Sequence, residues 1–287
     1  MKFRILTLLA LAMLWSVSAF AQQQSPQPLT HWSEYAVKPG KEEEFLNLVK
    51  TVGQPVRDKL MADGVILAWG LESPILRGHS TGTHLIWYAV ADWSGIEKVE
   101  SAMAAQLAKI AAEDAKAAEE GRKKGAKSAG GTMARIAETL DLDKTKDYLT
   151  RDLVFVPGQT MPPAGSLPFT RYNFTKVKPG RGEAYRNAWD KYNKPVFDKL
   201  VADGVLLAYG LAVEEVRTTG DFTHFTWYAV KSLGDFDKVR AAFIADRDRR
   251  SKEERDAITE AFLHAVDAEA SRSEVDSALI FHLAGQK

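Results

Sequence analysis

Two hydrophobic periods alternate along this chain. From Trp32 to Val37, and again from Phe169 to Val177, aromatic or β-branched residues alternate with polar ones, the period-two pattern of a half-buried strand. Phe45, Leu48, Val49, Val52, Val56 and Leu60 then trace a 3.6-residue stripe, which predicts a helix over 41–62. Pro55 interrupts that stripe and carries no amide donor, so a kink or break is expected there; Pro195 repeats it in a helix over 181–202. Asp63-Gly64 closes the first helix, with glycine in the left-handed cap position. Strands are predicted at 65–71 and 82–90, and at 205–211 and 222–230, and the stretch 72–81 between the first two reads as a connection. Val99, Met103, Leu107 and Ile110 predict a further helix after Asp92. Its counterpart spans 235–270, broken where Ser251 and Glu254 offer a capping box. Strands at 151–156 and 278–283 end the two series.

The series are copies. DKLMADGVILAWGL at 58–71 returns as DKLVADGVLLAYGL at 198–211, HLIWYAV at 84–90 as HFTWYAV at 224–230, and VKPG at 37–40 as VKPG at 177–180, all at an offset of 140. At the last strand the offset falls from 140 to 126, so the first copy carries 14 more residues, assigned to the loop GRKKGAKSAGG at 121–131. The organisation expected is a signal peptide at 1–21, a flexible leader at 22–30, a first repeat at 31–158, a linker at 159–168 and a second repeat at 169–287. Each repeat reads β-α-β-β-α-β, the ferredoxin-like order, with helices on one sheet face. The other face is apolar and needs a cover, so the expectation is an α+β fold in which the repeats pack sheet to sheet. On this element order and duplication the chain resembles the dimeric α+β barrel superfamily, in tandem single-chain form. That superfamily includes cofactor-free monooxygenases, muconolactone isomerases, EthD-like and NIPSNAP-like proteins and the haem-dependent chlorite dismutases. The resemblance implies a pseudo-dimeric α+β barrel and rests on no motif of one member, so no catalytic residue is carried over.

Composition narrows the setting. Lys2 and Arg4, the apolar run from Ile5 to Val17 and Ala19-Phe20-Ala21 read as a secretory signal, which predicts a periplasmic or secreted chain with no stable membrane insertion after cleavage. With Cys at 0, no disulfide contributes, and stability rests on burial by a chain that is 45% hydrophobic. Loss of Lys2 and Arg4 leaves 36 basic against 38 acidic residues, net −2, which gives no electrostatic footprint for nucleic acid. The chain closes its own barrel, so a monomer suffices, and a homo-oligomer stays open.

Candidate chemistry lies on the repeated strands. His84 and His224 open the third strand of each copy, and alternation groups them with Tyr88 and Tyr228. This set is more polar than the Trp87 and Trp227 set, so it is assigned to the cavity between the sheets, with the tryptophans packed under the helices. A His beside a Tyr there would serve as general base and partner; a strand-end His bonded to its neighbouring Thr is the plainer reading. Arg77 and Arg217 share the offset and would hold an anion at the cavity mouth, while solvated loop arginines are commoner. Trp69 with Tyr209, and Trp32 with Tyr172, would give aromatic walls for a flat ligand or fill the core. Glu34, where copy two has Phe174, is a general-base candidate of one half only. No metal site emerges: Glu260 and His264 lack a third ligand, and His31, His79 and His282 stand alone. No cofactor is expected; a strand His on haem iron stays open, without an attachment motif. The basic run at 122–127 reads as a solvated insertion. Three functions follow: a protein binding a small apolar or aromatic molecule of unknown identity, which is favoured; a cofactor-independent monooxygenase or isomerase using a strand-three His; and an interaction module with a filled barrel.

Overall fold

The computed structural model describes residues 27–76, 82–124, 130–158, 167–218 and 220–283. The expected signal peptide, Arg77, His79 and most of the expected linker lie outside the described residues. The first repeat comprises β1 (Leu29–Tyr35), α1 (Glu42–Leu48), α2 (Gln54–Ala62), β2 (Ile66–Pro74), β3 (His84–Val90), α3 (Trp93–Lys123), α4 (Thr132–Thr139) and β4 (Lys146–Pro157). The second comprises β5 (Phe169–Val177), α5 (Gly182–Tyr192), α6 (Lys194–Ala202), β6 (Leu206–Val216), β7 (His224–Val230), α7 (Asp235–Asp248), α8 (Lys252–Ala265) and β8 (Val266–Leu283).

Local chemistry sets these bounds. Pro55 and Pro195 stand in the first turn of α2 and α6, where a missing amide costs nothing, and a π-helical turn at Val49–Gly53 joins α1 to α2. Gly64 and Gly204 follow the helices at φ of 73° and 71°, the left-handed region open to glycine. The Ser251 hydroxyl accepts from the Glu254 amide, and the Glu254 carboxylate from the Ser251 amide, so the break between α7 and α8 is a capping box. Two expectations are corrected. Residues 266–270 are strand, not helix, because Val266 and Asp267 pair with Val177 and Lys176 and so cover the far end of β5. The surplus of the first copy is not loop alone: α3 runs to Lys123, and α4 docks through the Arg135–Glu44 pair at 2.6 Å and Ile136 against Leu48, Val52 and Ile110.

The strands close into one eight-stranded antiparallel barrel in the order β1-β3-β2-β8-β5-β7-β6-β4. The repeats are joined edge to edge at two seams, β2 with β8 and β4 with β6. No strand edge is left for a foreign chain at either seam. Helices cover the outside of the barrel over two separate cores. Phe45, Leu60, Ile66, Leu71, Val90 and Val99 build the first; Trp189, Phe197, Leu200, Leu206, Leu211 and Val230 build the second. Each such side chain contributes about 1.5–3 kcal/mol by burial.

Which face looks inward is the reverse of the sequence expectation. Ile86, Tyr88 and Val90 lie in the helix-covered core, whereas Leu85 and Trp87, with Phe225 and Trp227, face the barrel interior. The interior of an eight-stranded barrel is just wide enough for large side chains to fill, and indoles fill it better than small polar groups.

Candidate functional site

The barrel interior is half plug and half cavity. At one end Leu85, Tyr148, Phe174, Phe222 and Phe225 pack with Trp32 and Tyr172 into an aromatic plug, Phe174 and Phe222 with centroids 5.0 Å apart. Beyond Trp32 and Tyr172 the interior is open as a cavity of about 430 Å³. Its lining repeats about the pseudo-two-fold: Pro28 with Pro168, Thr30 with Thr170, Trp32 with Tyr172, Leu67 with Leu207, Ala68 with Ala208, Trp87 with Trp227, Ala89 with Ala229, and Phe155 with Phe281. Register shifts between Ile66 and Ala68, and between Leu206 and Ala208, turn both residues of each Leu-Ala pair toward the cavity. Leu67 and Phe155 remain 37% and 48% exposed, which marks the mouth at this end of the barrel.

Two carboxyls break the symmetry. Glu72 corresponds to Ala212, and Asp152 to Ala278, at the two sequence offsets. Glu72 is 1% exposed; it accepts hydrogen bonds from Tyr172 Oη at 2.8 Å, Trp87 Nε1 at 3.2 Å and Thr170 Oγ1 at 3.4 Å. Burial pushes its pKa up, against those three donors, which favour the ionised form. Asp152, 8% exposed, has its carboxyl pushed up to about 7 by burial alone, and accepts no side-chain hydrogen bond among the described residues. Below the cavity floor Asp276 is raised to about 8 by burial and by the neighbouring Glu72 and Glu34, with Arg272 opposing. Arg272 lies 4.0 Å over the Phe174 ring and 3.9 Å from Glu34.

The residues singled out by sequence divide accordingly. Trp32 and Tyr172 line the cavity. Glu34 is buried and faces inward, with Tyr148 Oη donating to it at 3.4 Å, but it sits in the plugged half. The remaining assignments of described residues to the cavity are corrected. His84 and His224 lie at the opposite end from Pro28, each with Nδ1 3.0 Å from the hydroxyl of its own Thr83 or Thr223. Their rings pack on Phe45 and Tyr185, and burial, with Arg217, holds His224 down at about 4. Tyr88 donates to Glu100 at 2.8 Å on the helix side, and Tyr228 belongs to the second helix-covered core. Trp69 donates to Asp58 at 3.1 Å and stacks on His282, and Tyr209 donates to Asp198; both are core tethers between sheet and helix. Arg217 is exposed beyond β6. None of His84, His224, Tyr88, Tyr228 and Arg217 lines the cavity.

Sequence reading missed Glu72, Asp152, Trp87, Trp227, Phe155 and Phe281. The sequence places Glu72 at the start of a connection that holds Pro74 and Gly78, yet β2 continues to Pro74. Among the described residues no imidazole, thiolate or thioether lines the cavity, so they offer none of those haem-iron ligands, and no cluster of three or more His, Cys, Asp or Glu is placed to hold a metal ion. No described helix is long and apolar enough to cross a membrane.

No protein-family model matches this chain, and no curated protein sequence matches it. Solved structures do resemble it. A candidate monooxygenase from Fusobacterium nucleatum subsp. nucleatum superposes with a TM-score of 0.57 at 13% identity, over 91% of this chain and 96% of the other. A candidate monooxygenase from Lactobacillus acidophilus gives 0.54 at 9% identity, over 90% of this chain and 97% of the other. At such identities the likeness is one of fold.

Proposed function

We propose that this chain, whose fold is that of the dimeric α+β barrel superfamily in tandem single-chain form, is an exported protein that takes up a small, flat, largely apolar molecule inside its barrel. One observation carries the reading: the half of the interior beyond Trp32 and Tyr172 is an aromatic-walled cavity of about 430 Å³, within the size range of small-molecule sites. Three indoles, two phenyl rings and paired alanines offer flat apolar surface, and the carboxyls supply the few polar contacts that orient a ligand. Export rests on the first 21 residues of the sequence. Thermal-shift and tryptophan-fluorescence screening with small arenes tests the uptake. Ala229→Phe, which fills the cavity from its wall, is expected to abolish binding with little loss of Tm. Unchanged binding by that variant would place the ligand elsewhere. Recovery of a chain beginning at Gln22 from the exported fraction tests the signal peptide.

A second reading, a cofactor-independent oxygenase or isomerase, gains support from Asp152, a cavity carboxyl poised near neutrality as a general base should be. Both similar structures bear monooxygenase names. The base would then be Asp152, not a strand-three histidine. Oxygen uptake or proton exchange on a bound arene, lost in Asp152→Asn, separates catalysis from storage.

A further inference from the structure

We propose that the molecule held in the barrel is an organic cation, an ammonium group on a small aromatic body; this rests on the cavity-binding reading above. The geometry supplies both halves of such a site. The walls are π faces: Trp87 lies 6.0 Å from Phe281 and Trp227 5.9 Å from Phe155, each pair joining a ring of one repeat to a ring of the other, with Tyr172 on the floor. A cation within about 6 Å of such a ring is attracted to its negative face, and desolvation strengthens the attraction. The anions are Glu72 and Asp152 in the same cavity, one beside each seam.

Glu72 has its acceptor capacity engaged by Tyr172, Trp87 and Thr170. Asp152 does not: its carboxyl is buried, lines the cavity and has no side-chain hydrogen-bond partner among the described residues. A buried carboxyl without a donor is costly, and an ammonium N–H or a quaternary nitrogen beside it removes that cost. A neutral arene would leave Asp152 as it is. The groups around the pair are few. Ala212 stands opposite Asp152 on β6, Thr30 and the Pro28 carbonyl flank it from the β1 side, and Asp276 and Arg272 on β8 lie toward Glu72. Among the described residues no lysine or arginine lines the cavity to compete with a ligand cation.

Binding a cation must ionise Asp152, so uptake releases a proton wherever the empty carboxyl is protonated. Benzyltrimethylammonium is the probe, because its charge does not titrate; neopentylbenzene is the neutral control, with carbon in place of nitrogen. Calorimetry in two buffers of different ionisation enthalpy reads affinity and proton release together. The ammonium is expected to bind at least tenfold tighter than the hydrocarbon at neutral pH. Its Kd should rise toward tenfold per pH unit below about 7 and level off above, following the carboxyl. Asp152→Asn should cost at least tenfold in ammonium affinity, flatten the pH dependence near 7 and spare neopentylbenzene, with Tm confirming the fold; Glu72→Gln should weaken the ammonium without removing the pH dependence near 7. Equal affinity for the two probes, or an Asp152→Asn variant that keeps ammonium affinity and its pH profile, overturns the cation and leaves the cavity reading intact. Binding of neither probe, nor of any small arene, would overturn both.

Discussion

At the scale of single residues, the interior carboxyls and the buried histidines set opposite pH demands. Asp152 and Asp276 titrate at about 7 and about 8 in the folded chain, against 3.8 as the ordinary value. The folded chain thus keeps protons that the unfolded chain has already lost, and stability from this source falls as pH rises from about 4 to about 8. His224, held down at about 4 against an ordinary 6.5, works the other way: stability is lost as pH falls below 6.5 toward 4, and half-buried His31 shifts in the same direction. The two effects oppose below 6.5, and the carboxyls act alone above it. Denaturant unfolding should therefore show stability falling from about pH 6.5 to 8, by up to about 1.4 kcal/mol per pH unit for each titrating group. Asp152→Asn should flatten the part below about 7, and Asp276→Asn the part up to about 8. A wild-type curve that rises across this window would contradict the assignment. A second residue-level contrast concerns Glu72: Glu72→Ala strands the donors on Tyr172 and Trp87, costing about 1–3 kcal/mol for each, whereas Glu72→Gln keeps an acceptor and should cost less.

At the scale of elements, the inward tryptophans exist because the strands beside them carry glycine. A Cβ on Gly210 would lie 2.5 Å from Trp227 Nε1 and 2.9 Å from the Val154 carbonyl oxygen; on Gly70 it would lie 2.9 Å from the Trp87 ring. Gly210→Ala meets backbone as well as indole, so it should be the worse of the two, destabilising by about 1–3 kcal/mol and pushing Trp227 into the cavity. Thermal unfolding reads the first effect, and the loss of arene uptake the second. These glycines also explain where sequence reading stopped. Element order, the proline breaks, the glycine caps and the capping box were all legible, because each depends on a few neighbouring residues. The inward face was not, because period-two alternation states that two faces differ without saying which is inside. Polarity pointed the wrong way: His84 and His224 are satisfied by their own threonines on the helix side, while the indoles go where only a missing Cβ on the neighbouring strand makes room. The repeats show a similar exchange under the helices. Tyr88 has the buried Arg57 of α2 beside it, where the second copy has Phe197, and Tyr228 instead has Arg171 of β5.

At the scale of the whole molecule, the seams decide why this barrel needs both halves. Along β2 and β8, Glu72 stands opposite Ala278 and Pro74 opposite Asp276; along β4 and β6, Asp152 stands opposite Ala212 and Thr150 opposite Glu214. Every buried acid at a seam therefore faces a neutral residue. Pairing a half with a second copy of itself would undo this arrangement. Two first repeats would set Glu72 against Asp152 at both seams, and two second repeats would set Glu214 against Asp276. A buried carboxyl without compensation costs on the order of 1–3 kcal/mol, and each such dimer would hold four facing one another, so the chain is built for pairing between unlike halves. Comparing one copy with the other hid this, since each acid there aligns with a non-acid and looks like the relic of a degenerate half. Residues 27–158 and 167–283, produced separately, are expected to assemble one to one when mixed, as read by light scattering and native mass spectrometry. The first half alone should self-associate weakly at neutral pH, more strongly near pH 5 where Asp152, pushed up to about 7, is protonated, and strongly at both once Glu72→Ala removes one acid from each seam. A wild-type first half that forms a homodimer as tight as the mixed pair at neutral pH would show that the acids play no part in selecting the partner.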